Sequence, residues 1–219
     1  MSFQNLIQSS KTYFPDLEIK YKTDSAIMKF IGTILFFNKS FMTEYSTTIG
    51  STIYFPTEHF VRTRPVSATV ILLHELVHIN DSKKISKFLF SFLYLCPQIL
   101  ALLAIPLMFI HWYIGLPFLL LLLPIPAFFR MYFEKRAYFA SLYALHRLGN
   151  ILEFDPQLDV QKKYFLDQFK SSSYYFMWIF SGIEKDFDEA LIKIKSNQKP
   201  YDDIIFNILD DLTIKFKNS

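Results

Sequence analysis

The residues best suited to chemistry are five in a row: His74-Glu75-Leu76-Val77-His78. On a helix, residues four apart share a face, so both imidazoles can reach one ion. The glutamate beside the first histidine then points at a water on that ion. Zinc lowers the pKa of such a water toward ~7, and a carboxylate can take its proton as the water attacks a peptide carbonyl. The spacing predicts zinc-dependent hydrolysis of a peptide bond, with one Zn2+ per chain, His74 and His78 as ligands and Glu75 as general base. The plain rival is a pair of packed histidines on a structural helix. Two imidazoles and an acid amid leucines are costly to bury without a partner, which weighs against it.

A catalytic zinc site takes three protein ligands and keeps one position for water. The metzincin arrangement needs a glycine where this chain has Asp81 and a third histidine soon after, and none of His59, His111 and His146 fits. An acid on a later helix is the alternative. Glu134 is the first carboxylate after a long apolar run, and its rival reading is a solvated glutamate paired with Lys135 or Arg136. Glu153, Asp81 and His146 stand behind it as candidates.

These residues need a scaffold. Leu17 to Lys22 alternates apolar and polar residues as a half-buried strand does. Asp24-Ser25 caps a helix expected from Ala26 to about Phe37. Thr47 to Phe55, rich in Thr and Ile and stopped by Pro56, reads as a strand at an edge. Its residues Thr47, Ile49, Ser51 and Ile53 are candidates to pair with an extended substrate. Pro65 opens the helix that carries the motif. A second helix is expected from Arg130 to Leu148, stopped by Gly149-Asn150. Amphipathic helices follow at Val160 to Lys170, Glu184 to Lys195 and Tyr201 to Lys215. The acids Asp202, Asp203, Asp210 and Asp211 are expected on solvated helix faces.

From Phe88 to Phe129 there is no Asp, Glu, Lys or Arg. A bilayer core of roughly 30 Å takes about 20 apolar residues per helix, so the run supplies two arms, Phe88 to Ile110 and about Ile114 to Phe129. His111-Trp112-Tyr113 falls at the turn, where amphipathic rings favour the interface. Lys83, Lys84 and Lys87 precede the run, and Arg130, Lys135 and Arg136 follow it, which puts both ends in the cytoplasm. The second arm, with Pro117, Pro124 and Pro126, is the weaker of the two, and a buried core hairpin is the rival. The whole chain of 219 residues has a net charge of +3 and only five glycines, which argues against nucleic-acid partners and glycine-rich phosphate loops. Its one cysteine, Cys96, allows no internal disulfide. Met1 to Lys11 lacks the layout of a secretory signal.

An H-E-x-x-H helix, an apolar hairpin and then a helix bearing Glu134-Lys135-Arg136-Ala137-Tyr138 resembles the membrane gluzincins of the HtpX and CAAX prenyl protease type. The resemblance runs from about Pro65 to Gly149 and suggests a reduced, distant member. It implies Glu134 as third ligand, Glu75 as base and a site facing the cytoplasm. Where that family has an aspartate that orients a metal-binding histidine, this chain has Tyr138, whose phenol offers a hydrogen bond but no charge. The family draws oxyanion donors from its C-terminal part, which makes Tyr174, Tyr175 and His146 candidates. The expected fold is α+β, a mostly helical gluzincin-like domain with a small edge sheet. It is divided into 1–87, a membrane hairpin at 88–129, and 130–219. The expected partners are a peptide or protein substrate and the lipid bilayer. The rival functions are a non-catalytic zinc-binding protein and a metal-free membrane scaffold or assembly protein.

Overall fold

A computed structural model describes residues 3–34, 40–171 and 176–217. The chain is mostly helical with one three-stranded sheet. Its elements are α1 (Phe3–Tyr13), β1 (Glu18–Tyr21), α2 (Ala26–Ile34), β2 (Thr47–Ile49), β3 (Thr52–Phe55), α3 (Glu58–Thr63), α4 (Pro65–Ile85), α5 (Lys87–Leu95), α6 (Ala104–Ile110), α7 (Trp112–Gly115), α8 (Phe128–Leu152), α9 (Leu158–Lys170), α10 (Ile183–Lys195) and α11 (Ile204–Lys217). Single 3-10 turns or runs cover Lys22–Asp24, Gln98–Leu103 and Leu116–Leu122.

The long helix α4 starts with Pro65 in its first turn and is buried on almost every side from Ala68 to Ser82. A helix buried on every side, its polar residues included, has to be central. It packs along α8, and α1, α5, α11 and β2 also lie against it. Helix α1 is amphipathic, with Phe3, Leu6 and Ile7 in the main core. Its i, i+3, i+4 spacing is present in the sequence, within the stretch weighed only as a possible signal. Ser25 Oγ accepts from Met28 N and so opens α2 as expected; the expected end at Phe37 lies outside the described residues.

Two expectations about boundaries are corrected. The segment from Thr47 to Phe55 is a hairpin and not one strand. Gly50 turns it with φ 63°, a left-handed conformation that suits glycine. The sheet order is β1-β3-β2, with β3 parallel to β1 and antiparallel to β2. Ile53 therefore lies on the central strand, fully buried, and Ser51 in the turn, so neither is open to an added strand. Thr47 and Ile49 are on the edge strand. Helix α8 runs through Gly149 and stops at Glu153, which takes the left-handed conformation. Gly149 is there for space: a Cβ would come within 2.9 Å of Phe154 O and Pro156 Cδ.

The uncharged run forms neither of the two straight arms. Helix α5 packs on α4 and α8. The chain then breaks at Cys96-Pro97, where proline cannot continue a helix, and residues 98–110 leave at 87° to α5. Among the described residues no single helix is long and apolar enough to cross a membrane; the pair 87–95 and 98–110 passes that test only together and bent. Much of the segment is bare, Phe88 being 82% and Phe109 87% exposed, with Leu102, Ile105, Trp112, Leu120 and Leu123 also open.

The C-terminal acids do not face solvent as a group. Asp203 is buried, with Arg136 Nη2 at 2.7 Å and Lys84 Nζ at 2.6 Å, and it caps α11 by accepting from Ile205 N. Burial raises its pKa, but the hydrogen bonds and charge of these partners bring it down to about 2. Asp210 accepts from Tyr143 OH at 2.8 Å, and Asp211 accepts from Tyr13 OH. Asp202 alone is exposed. Arg136 also grips Asp81 with two bonds of 3.0 Å, so α8 is fastened to α4 by a bidentate pair. Truncating the cation would leave buried Asp81 without a cation and Asp203 with Lys84 alone. Arg136→Met is expected to cost on the order of 3–5 kcal/mol in urea unfolding. Lys195→Met, which breaks the exposed 2.7 Å pair with Asp159, should cost under about 1 kcal/mol. Equal costs would mean that Arg136 is no more than surface charge.

Candidate metal centre

Four elements converge at the motif. Helix α4 presents His74, Glu75 and His78, α8 presents Glu134, Tyr138 and Ser141, α5 presents Phe90 and Tyr94, and the edge strand β2 presents Thr48. His74 Nε2 lies 3.2 Å from His78 Nε2 and 3.4 Å from Glu134 Oε2, and His78 Nε2 lies 3.5 Å from Glu134 Oε1. The three side chains offer ligand atoms within 4.8 Å of one another and can hold a metal ion. Lys135 and Arg136, the cations next to Glu134 in sequence, turn to Asp186 and to Asp81 with Asp203. Successive helical residues point different ways, so neither neutralises Glu134.

Hydrogen bonds fix the direction of one imidazole. Ser141 Oγ has one proton, donated to Ala137 O at 3.0 Å. Toward His74 Nδ1, 3.1 Å away, the serine must therefore accept. Nδ1 carries the hydrogen, and Nε2 turns a lone pair into the cluster. This serine supplies an orienting hydrogen bond of the kind weighed for Tyr138. The Tyr138 ring instead packs edge-on against His74 at 4.9 Å and stacks on Phe165 at 4.5 Å, holding the imidazole by contact.

The cluster is short of positive charge. Burial works against ionised His78, but Glu134, with Glu75 and Asp81, outweighs it and raises the pKa. Burial likewise pushes the Glu134 carboxyl up, while the charge of His78 and the closeness of both imidazoles hold it far below the ordinary carboxylate range. Among the described residues Glu134 Oε2 and His78 Nδ1 are buried without a hydrogen-bond partner. Lone pairs that meet at 3.2–3.5 Å repel unless a proton or metal cation lies among them. The donor set of two imidazoles and one carboxylate, with an orphaned carboxylate oxygen, fits a divalent metal.

Glu75 stands beside this triad and not in it. Its Oε2 accepts from Thr48 Oγ1 at 2.7 Å, which ties the carboxylate to the edge strand. A cleft of about 30 Å³ opens beside Thr48 and His78, with Gly50, Phe90 and Ser91 also in its lining. That is room for about one water.

Other candidates fall elsewhere. His146 pairs with Asn197 Oδ1 at 3.0 Å and Asn150; twelve residues beyond Glu134 on α8, it is roughly 18 Å along the axis and supplies neither ligand nor donor. Glu153 ends the same helix, and Asp81 is taken by Arg136. Tyr174 and Tyr175 lie outside the described residues. Sequence reasoning missed Ser141, Tyr94, Thr48 and Lys22. Lys22 is fully buried, donates to Phe41 O at 2.6 Å, and sits over the Phe41 ring at 3.7 Å. Burial pulls its pKa down to about 8, against an opposing upward pull from Glu75. A charged residue ending an alternating strand was the only signal for it.

Lys22 makes stability depend on pH with a definite sign. Between about 8 and the ordinary value of 10.5, the folded protein has released a proton that the unfolded chain still holds. Stability therefore rises with pH through that window and is insensitive to this group below it. Unfolding free energies of wild type and Lys22→Met, measured from pH 7 to 10.5, should diverge in favour of wild type above pH 8. A constant difference would mean that the pKa is not depressed. No protein-family model, curated protein or solved structure matches the chain, so its functional reading rests on residues and geometry.

Proposed function

We propose that the chain is a zinc metallopeptidase working at a membrane surface, built on a gluzincin-like plan. The observation that carries this reading is the convergence of His74 Nε2, His78 Nε2 and Glu134 Oε2, with Glu75 held just outside the triad on Thr48. Two histidines and a glutamate are a donor set of catalytic zinc, whereas structural zinc sites are closed by four protein ligands. When bound, zinc supplies a Lewis acid and lowers the pKa of water in the open position toward ~7.

The chain's own residues do the rest. Ser141 holds His74 in the tautomer that offers Nε2. Glu75, oriented by Thr48, takes the proton from the attacking water and returns it to the leaving nitrogen as the peptide C–N bond breaks. The edge strand β2 turns the main-chain groups of Thr48, between the paired Thr47 and Ile49, toward an extended substrate. The hydroxyl of Thr48 thus links the strand that aligns the substrate to the base that acts on it.

The apolar segment supports the membrane part. A bare apolar surface this large belongs against lipid or a partner. The 3-10 and α stretches at 98–110 total about 22 Å in length, short of a hydrocarbon core of ~30 Å. A hairpin that dips in from the cytoplasmic face fits this length better than one that crosses. The protein should stay with membranes after an alkaline carbonate wash, and Tyr113→Cys should be labelled from the cytoplasmic side only. Labelling from the far side would restore two full spans, and release by carbonate would remove the membrane reading.

Two amides separate an enzyme from a zinc-binding scaffold. Glu75→Gln should keep about one zinc per chain while cleavage falls at least ~10²-fold, the usual loss for a general base. Glu134→Gln should lose zinc affinity first, with activity partly restored by excess zinc. Loss of zinc in the Glu75 variant would make that residue a structural acid. Wild-type protein that takes up no zinc would leave the metal-free scaffold.

A further inference from the structure

The helix α5 opens the apolar segment, yet it reaches into the metal centre. Tyr94 OH donates to Glu134 Oε1 at 2.5 Å, the length of a charge-assisted O–H···O⁻ bond. The phenol is held in place from several sides. Arg130 Nε donates to Tyr94 O at 3.0 Å and its guanidinium lies over the Tyr94 ring at 5.4 Å. Phe90 stacks on the ring at 6.0 Å, and the ring meets His78 edge-on at 6.0 Å. The two oxygens of Glu134 are therefore unequal. Oε1, 3.5 Å from His78 Nε2, is already engaged by the phenol, while Oε2 is buried, faces His74 Nε2 at 3.4 Å and has no hydrogen bond.

We propose that Tyr94 is a positioning residue for the third ligand: it engages Oε1 and so reserves Oε2 as the single atom that Glu134 offers to the metal. This rests on the metal-centre reading above. A carboxylate free at both oxygens can bind a metal through one or both. Zinc held by two imidazoles and one oxygen keeps a position open, and a second oxygen from Glu134 would crowd that position. Tyr94 thus guards the place where water must sit, from a helix that belongs to the apolar segment and not to either ligand helix.

The test is Tyr94→Phe, which removes one hydroxyl and leaves the ring packing in place. Zinc affinity, read by competition with a chromophoric chelator, should fall about 10–100-fold, the range seen when an outer hydrogen bond to a metal ligand is lost. In protein loaded with cobalt(II), the visible absorption should weaken in the variant, because a second carboxylate oxygen raises the coordination number. The metal-free variant should still unfold cooperatively, its unfolding temperature lowered by several degrees at most for the one lost hydrogen bond, since the ring packing is kept. Equal zinc affinity together with superimposable cobalt spectra would overturn the proposal while leaving the metal centre intact. Wild-type protein that binds neither zinc nor cobalt would remove the metal centre itself, and this proposal with it.

Discussion

Negative charge in the interior is the constraint around which this chain is arranged. Glu75, Asp81, Glu134 and Asp203 are all buried. An ionised carboxylate taken out of water costs several kcal/mol unless a cation or several donors meet it. Asp81 and Asp203 share Arg136, with Lys84 adding to the second. Glu75 has the Thr48 hydroxyl and the field of the buried Lys22. Glu134 has only imidazoles and a phenol, none with a permanent charge. Two of the four acids thus meet a cation of the chain in direct contact, and a third has a hydroxyl donor and the field of Lys22. The fourth stands where two histidines aim at the same point, which is the arrangement expected if its cation comes from solution.

That asymmetry explains why α5 is not simply the start of an apolar hairpin. Its polar contacts, Tyr94 with Glu134 and Arg130 with the Tyr94 carbonyl, all face α8. Beyond Cys96-Pro97, Gln98 still donates to Ile125 O and accepts from Arg130, and much of the surface after it is apolar and bare. The physical divide between the part that holds the His-His-Glu cluster and the apolar appendage therefore falls at the 87° bend after Leu95, eight residues past Lys87, the last charge. A hydropathy count cannot place it, because Tyr94 and Phe90 score as membrane residues whichever surface they meet.

Local spacing made the ligand helix legible. The i, i+4 relation of His74 and His78 needs nothing beyond α4, and the period of apolar residues found α9 and α10 to within a few residues. Glu134 stood out only by its order after the apolar run and by resemblance. Ser141 lies 67 positions from His74, Tyr94 40 from Glu134 and Thr48 27 from Glu75. These are contacts of tertiary packing, and hydroxyl residues at such distances carry no mark that distinguishes them from surface serines and tyrosines. Gly149 and the acids near the C-terminus were misread for a related reason. A glycine near a helix end, or an aspartate in a polar stretch, has its common role on the surface, and only the neighbours that α8 and α11 bring to it show otherwise.

The bidentate grip of Arg136 on Asp81 has one more consequence. It joins α4 and α8 three residues beyond His78 and two beyond Glu134, so the same pair of helices is fastened twice, once by fixed charges and once by the ligand cluster. In small zinc modules the ion is the only fastener, and the chain unfolds without it. Here the spacing of the ligands is kept by a clasp that needs no ion. Folding and loading become separable events. On the function proposed above, a chain made where zinc is scarce would wait assembled but unloaded, and the supply of the ion would set when it begins to work.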